Sequence, residues 1–483
     1  MVCPPSSEKF EVVPAEDDST CSSIVRFASL DASLPPMAVP LPATALAARQ
    51  AASLAGVGRH RRAKTPLSRV THVLVLMVLV AIAFIACVLK IVTIEGFHRA
   101  PVWAVYSVMV TVFILSRFGL AWFYRPRLRS NAASYRPAVA IIVPAYNEQD
   151  GIAATLRACL SVDYPSERLR VIVVDDRSTD ATLTRIREVE AQNPEITVIA
   201  ADANRGKRYA IAAGIAAAED AEILIFIDSD SLVERGAVGN LVQYFADPSV
   251  GAVTGHTDVR NKDTNVLTRM QAVQYYVAFR VYKSAEALFG SVTCCSGCFS
   301  GYRRSALDPV MSAWLTQRFL GQPCTYGDDR SLTNFLLPHW RIVYAPDAHA
   351  VTTVPERLRQ FLRQQLRWKK SWARESLRAS RIMWRKHPIM AVSYYASIAL
   401  PLAAPQVVFR ALVVRPHFTA ALPAWYLGGV LAMALFYGLY YRLHHAEKNW
   451  YHGIFFTVFY TVILIWQLPY ALATIRDSRW GTR

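Results

Sequence analysis

Two aspartates one residue apart, Asp228 and Asp230, close the run Ile223-Leu224-Ile225-Phe226-Ile227. Carboxylates at that spacing suit a hard divalent cation, Mg²⁺ or Mn²⁺, which readily shares its shell with substrate phosphates. An Asp-x-Asp pair is also common as a solvated acidic turn, and the pair alone favours that plainer reading. The residues before it change the balance. A run of β-branched and aromatic residues, apolar throughout, predicts a strand buried on both faces of a parallel sheet. The carboxyl end of such a strand delivers both acids to the crevice where open α/β sheets bind ligands.

The surrounding chain alternates between periods of two and 3.6. Strands are predicted at Val139 to Val143, Val171 to Val174 and Ile196 to Ala200. Helices are predicted at Glu148 to Ser161, Ala181 to Ala191 and Lys207 to Ala218. Repeated β-α-β units imply an α/β domain with a mostly parallel sheet and helices on both faces. The tips at Pro144, Asp176 and Asp228 then meet in one crevice. Three polar tips together are harder to dismiss than one.

The 483 residues carry a net charge of +17, which calls for a partner of opposite sign: nucleic acid, anionic lipid or a phosphorylated substrate. The 53% hydrophobic content decides between them, because it falls in blocks. Val73 to Leu89, Val102 to Phe123, Ile389 to Phe409, Ala424 to Tyr441 and Ile454 to Ile475 each approach the roughly 20 residues that cross a bilayer. The chain reads as an integral membrane protein, and its basic residues flank the spans rather than forming a nucleic-acid face. Arg59, Arg61, Arg62 and Lys64 before the first block, with Arg125, Arg127 and Arg129 after the second, place both ends of that hairpin in the cytosol. Arg117 would snorkel to the inner face. The eight cysteines show no disulfide framework, and Cys295-Ser-Gly-Cys298 lacks partners at zinc spacing. His349, His444 and His445 are read as structural.

Val143-Pro-Ala-Tyr-Asn-Glu148, Val174-Asp-Asp-Arg-Ser-Thr-Asp180 and Asp228-Ser-Asp230 resemble the nucleotide-sugar half of family 2 glycosyltransferases. Ser296-Gly-Cys-Phe-Ser-Gly-Tyr-Arg-Arg304, Gly327-Asp-Asp-Arg330 and Gln364-Gln-Leu-Arg-Trp368 resemble the acceptor half of the processive, membrane-embedded members. Gly327 to Asn334 and the ending Trp480-Gly-Thr-Arg483 resemble hyaluronan synthases more narrowly. The resemblance covers roughly residues 70 to 483. It implies a glycosyltransferase A-type cytosolic domain inserted between transmembrane helices.

It also implies roles. Ala145, Tyr146, Glu148 and Asp176 would grip the base and ribose of a UDP-sugar, although Glu148 and Asp176 would equally serve as helix caps. Asp228 and Asp230 would hold Mn²⁺ or Mg²⁺ on the diphosphate. Lys207, Gln364, Arg367 and Trp480 are further donor-binding candidates. Asp329 is the candidate general base for the acceptor hydroxyl. Ser296, Cys298, Arg303, Asp328 and Trp368 are expected on the acceptor side; Cys298 stands where many hyaluronan synthases carry Pro. Arg357, Arg359, Arg363, Arg374, Arg378 and Arg381 are expected on anionic lipid.

The domain map has a disordered cytosolic tail (1–65), a two-helix transmembrane hairpin (66–125) and a cytosolic catalytic domain (135–352). Interfacial helices (353–388), a C-terminal transmembrane region (389–475) and a cytosolic tail (476–483) follow. Three full C-terminal spans would put Arg476, Arg479 and Arg483 outside, so Gln467 and Pro469 are expected to break the last segment into a dip and return. Pro401 and Pro405 suggest a bent, channel-lining helix. The expected activity is processive inverting transfer of UDP-sugars at the inner face of the plasma membrane. The polymer would be extruded, with hyaluronan from UDP-N-acetylglucosamine and UDP-glucuronate as the product. A one-sugar synthase of the chitin type is the nearest alternative, against which Asp328 speaks because Glu is commoner there. A non-catalytic transporter or scaffold is the alternative of another class.

Overall fold

The computed structural model describes residues 101–414, 421–444 and 448–477, with scattered positions of a helix between 74 and 84. The tail 1–65, most of the first apolar block, His445 and Trp480 to Arg483 lie outside the described residues.

Eight strands build the central sheet: β1 (Val139–Ala145), β2 (Leu169–Asp175), β3 (Ile196–Ala200), β4 (Ile223–Phe226), β5 (Ser231–Val233), β6 (Val250–Val259), β7 (Ser300–Arg303) and β8 (Arg341–Thr352). Their order is β3-β2-β1-β4-β7-β6-β8-β5. The pairs β1·β2, β1·β4, β2·β3 and β6·β8 are parallel. β7 runs antiparallel between β4 and β6, and β5 antiparallel to β8. The described helices used below are α1 (Pro101–Phe123), α2 (Ile152–Leu160), α3 (Thr182–Glu190), α4 (Lys207–Ala217), α5 (Val266–Val277), α6 (Asp328–Leu336), α7 (Leu358–Met383), α8 (Pro388–Phe409), α9 (Ala421–His444), α10 (His452–Val462) and α11 (Gln467–Ala473).

Every residue of β1 is buried, because its alternate side chains enter two different cores. Val139, Ile141 and Val143 join Ile152 and Leu156 of α2 and Ile186 of α3. Ala140 and Ile142 join Ile211 and Ile215 of α4 on the other face. Each fully buried Ile contributes roughly 2–3 kcal/mol of apolar transfer free energy. The sheet is therefore pinned from both sides, and its polar tips are the residues left without a core to enter.

Two described stretches are long and apolar enough to cross a membrane, Val105–Phe123 at mean hydropathy 1.6 and Pro388–Val414 at 1.7. A third is bent by 40° between Asn449–Val462 and Leu464–Ala473. The break comes at Ile463, ahead of the expected Gln467. Gln467 instead ties the last segment to α7. Its Nε2 donates to the Leu362 carbonyl at 3.2 Å, and Lys369 Nζ donates to its Oε1 at 3.2 Å.

Two charged residues sit differently from expectation. Arg117 is buried and stacks near Phe113 at 5.3 Å, facing the protein interior instead of snorkelling outward. Arg374 is buried too, since one face of α7 enters the protein: it donates to Glu375 at 2.8 Å and to the Tyr326 carbonyl.

A buried polar network joins α4, α6 and α7. Arg208 pairs with Asp328, and its Nη1 donates to the Trp314 carbonyl at 2.7 Å and to Gln317 at 3.0 Å. Gln317 in turn donates to Glu375 at 2.9 Å, while Asn334 donates to the Glu375 carbonyl at 3.0 Å. Removing one partner of such a pair strands the other charge in the interior. Arg208→Ala is expected to cost about 3–5 kcal/mol, measured as a fall in the thermal unfolding midpoint in detergent. An unchanged midpoint would show that the pair holds nothing together.

Candidate active site

The tips of β1, β2 and β4 converge as the alternation of elements predicts, and local hydrogen bonds fix the loops that follow them. Asn147, at φ 53°, donates through its backbone to Ser178 Oγ at 3.0 Å and accepts from the Thr179 N–H at 2.8 Å. The Glu148 N–H donates to Thr182 Oγ1 at 2.7 Å. The loop after β1 is thereby clamped to the loop after β2. Ala145, Tyr146 and Glu148 line the cavity above them.

Asp176 also lines the cavity, and its carboxylate accepts the Arg205 N–H at 2.9 Å and the Gly206 N–H at 2.8 Å. Burial pushes its carboxyl upward, against the pull of those two donors. Gly206, at φ 92°, starts α4 and sends Lys207 toward the β4 tip, where its ammonium pairs with Asp228. Burial alone would lower Lys207; the Asp228 charge outweighs it and holds the ammonium above its ordinary range.

Asp230 accepts from Thr352 Oγ1 at 3.3 Å and Ser231 Oγ at 3.4 Å. Burial, then the neighbouring Asp228 charge, pushes its carboxyl up to about 6. The donor set fits a hard dication: two carboxylates meet in the crevice, and a cation would relieve the strain that raises Asp230. Gly297 keeps room above the pair, since a Cβ there would lie 3.1 Å from Lys207 Nζ and 3.2 Å from both Asp228 oxygens.

Asp329 faces the same cavity from the first turn of α6. Its Oδ1 accepts the Arg330 N–H at 2.8 Å and its Oδ2 meets the Cys294 thiol at 3.5 Å. Burial and the Asp329 charge push that thiol up to about 12, so it stays a neutral donor. Asp328 lines the cavity, but its carboxylate points at Arg208, which makes it a strut between α4 and α6. Gly327 precedes both at φ 75°, and a Cβ there would collide with Ser371 of α7.

Ser296, Cys298, Gln364, Arg367 and Trp368 all line the cavity. The Trp368 ring lies 6.3 Å from that of Tyr275 and keeps 38% of its surface exposed. Burial lowers the Arg367 guanidinium while the charges of Asp329, Asp328 and Asp228 act to raise it. Cys298 is likewise a neutral thiol, pushed up to about 12 by burial and the two β4 aspartates.

Arg303 departs from its expected acceptor position. It closes β7 away from the cavity, donating to the carbonyls of Val250 at 3.1 Å and Asp247 at 3.2 Å and pairing with Glu222 at 3.1 Å. That end of the motif is structural because β7 runs antiparallel to β4, which sets Arg303 opposite Ile223, away from the β1 and β4 tips. Sequence reasoning passed over Cys294, Lys283 and Tyr275, which carry no motif signal and reach the site only through tertiary packing. The cavity measures about 1590 Å³ and continues to Phe113 of α1 and to Tyr394, Ser397 and Pro401 of α8.

If Asp228 and Asp230 hold a cation together, Asp230 must first lose its proton. Mn²⁺ affinity is therefore expected to be level above about pH 6, and to fall by about tenfold per pH unit below it, as measured by titration calorimetry. Gly297→Ala is expected to weaken Mn²⁺ binding severalfold while leaving the unfolding midpoint in place. Affinity independent of pH between 5 and 7 would separate Asp230 from the cation.

A profile described as "Glycosyltransferase like family 2" matches residues 137–371. The chain is 31% identical over 395 residues to a hyaluronan synthase of Streptococcus pyogenes, covering 78% of this chain and 90% of that one. It is 34% identical over 351 residues to an N-acetylglucosaminyltransferase of Rhizobium meliloti, covering 72% and 82%. Among solved structures, the fold resembles a mannosyltransferase of Pyrobaculum calidifontis in complex with GDP-Man and Mn²⁺, at TM-score 0.53 and 23% identity over 75% of this chain and 99% of that one. With this sheet, these tips and these relatives, the chain belongs to the family 2 glycosyltransferases and has a glycosyltransferase A-type fold.

Proposed function

We propose that the protein is a processive, inverting β-glycosyltransferase of the plasma membrane. It polymerises UDP-sugars at the cytosolic face and extrudes the chain, with hyaluronan from UDP-N-acetylglucosamine and UDP-glucuronate as product. The observation that carries this reading is the single continuous cavity. It runs from the β1, β2 and β4 tips past Asp329 and Trp368 to the proline-bearing helix α8. A volume of about 1590 Å³ exceeds the ~300–1,000 Å³ of an ordinary ligand pocket. It leaves space for a donor and a growing chain together.

In this reading Ala145, Tyr146, Glu148 and Asp176 hold the uracil and ribose. Lys207, Gln364 and Arg367 reach the diphosphate. Asp228 and Asp230 hold the cation, whose chemistry when bound is to neutralise charge on the departing diphosphate. Asp329 takes the proton of the acceptor hydroxyl as that oxygen attacks the anomeric carbon, and the bond to UDP breaks on the opposite face. The Arg330 N–H and the Cys294 thiol hold the Asp329 carboxylate in place. Trp368 offers its indole face to the acceptor sugar, and Ser296 and Cys298 line the same cavity. The apolar helices are then spans of a multi-pass protein.

A second reading, a synthase using UDP-N-acetylglucosamine alone, is favoured by the identity to the rhizobial N-acetylglucosaminyltransferases. UDP release by purified protein, with each donor singly and then paired, separates the two. Sustained release that requires both donors, with a hyaluronidase-sensitive product, is the expected result. Sustained release from UDP-N-acetylglucosamine alone would replace it with the one-sugar synthase. Asp329→Asn is expected to lower turnover by about 10²–10⁴-fold without loss of UDP binding; wild-type turnover in that variant would overturn the assignment of the base.

A further inference from the structure

A second group of metal-binding side chains lies on the sheet outside the cavity. His256 and Asp258 are two residues apart on β6 and share one face. His349 comes from β8, where it sits in register beside His256. That register is not the default one. Ala345 pairs with Gly255 and the next pair is His349 with His256, so β8 inserts Pro346, Asp347 and Ala348 as a bulge. Without the bulge, Pro346 would stand opposite His256. Such insertions re-aim side chains and act as designed features of a sheet.

The resulting geometry suits a transition metal. One ligand atom from each of His256, Asp258 and His349 can be chosen so that all three lie within 4.8 Å of one another. His256 Nε2 stands 3.3 Å from Asp258 Oδ1. Ligands about 2.0–2.1 Å from a tetrahedral ion lie about 3.3–3.4 Å apart. The other His256 nitrogen, Nδ1, is 2.6 Å from the Tyr344 hydroxyl, a contact that orients the ring and assigns Nε2 to the cluster. His256 is buried, while Asp258 and His349 are half-buried, so an ion has a route of entry. Two imidazoles and one carboxylate select a zinc-class ion over Mg²⁺ or Mn²⁺.

We propose that His256, Asp258 and His349 form a zinc-class metal site that clips β6 to β8. Its location gives it a bearing on the active site, since β8 continues for three residues to Thr352, the hydrogen-bond partner of Asp230. The clip therefore steadies the strand that holds one of the two β4 carboxylates. The competing arrangement is a metal-free relay, in which Arg280 faces the Tyr344 hydroxyl, Tyr344 meets His256 and His256 meets Asp258.

The test uses the full-length protein in detergent with saturating Mg²⁺, which occupies the β4 carboxylates. Zinc is counted by elemental analysis, and after chelation the protein is titrated with Co²⁺ while its visible absorption is followed. The expected result is one zinc per chain and the intense bands of a tetrahedral cobalt site. His349→Ala and Asp258→Asn should each lose both, and Tyr344→Phe should weaken Co²⁺ binding about 10–100-fold. The His349→Ala variant should still bind UDP, which separates failure of this site from failure of the transferase reading. Wild type with no more zinc than His349→Ala, or a cobalt spectrum that the substitution leaves unchanged, overturns the proposal in favour of the relay.

Discussion

The buried ion pair between Arg208 and Asp328 joins the two halves of the catalytic domain. Arg208 follows Lys207, the first residue of α4, whose ammonium pairs with Asp228. Asp328 precedes Asp329. One salt bridge thus spans the donor side, where the sugar nucleotide would lie, and the acid that would act on the acceptor. Through Gln317 and Glu375 the same network reaches the helix carrying Gln364, Arg367 and Trp368. The interior accepts these charges because each one has a partner. The candidate catalytic groups sit on helices that this pairing ties together.

A second constraint acts at the tips themselves. Carboxylates that face a crevice repel one another, and the cavity gathers Asp176, Asp228, Asp230 and Asp329. The structure answers with Lys207 beside Asp228, with backbone N–H groups on Asp176 and Asp329, and with hydroxyls on Asp230. Asp230 has the weakest compensation of the four, and its raised carboxyl marks the place where a cation would relieve most charge.

Much of this was legible in the chain. Unbroken apolar runs announce β1, β2 and β4, since a strand packed on both faces needs no polar alternation. The tips Asp176, Asp228 and Asp230 followed from where those runs stop. Asp329, Arg367 and Trp368 were legible through the motifs that hold them. Arg303 and Asp328 were not, because their neighbours are 50 to 120 residues away. β7 was equally hidden. It enters antiparallel between β4 and β6, and nothing in its four residues announces that direction. His349 looked like a lone histidine, because only the bulge in β8 brings it beside His256.

The left-handed turn at Gly327 reaches beyond the backbone at that position. Its missing side chain is the space into which Ser371 of α7 projects. Positions 327 and 371 therefore behave as one unit under mutation, although 44 residues separate them. A side chain can be tolerated at 327 only after 371 has shrunk, and even then the positive φ of 75° disfavours it. Position 327 therefore has almost no single-step route away from glycine, and the close approach of the turn before the candidate base to the helix bearing Trp368 depends on it.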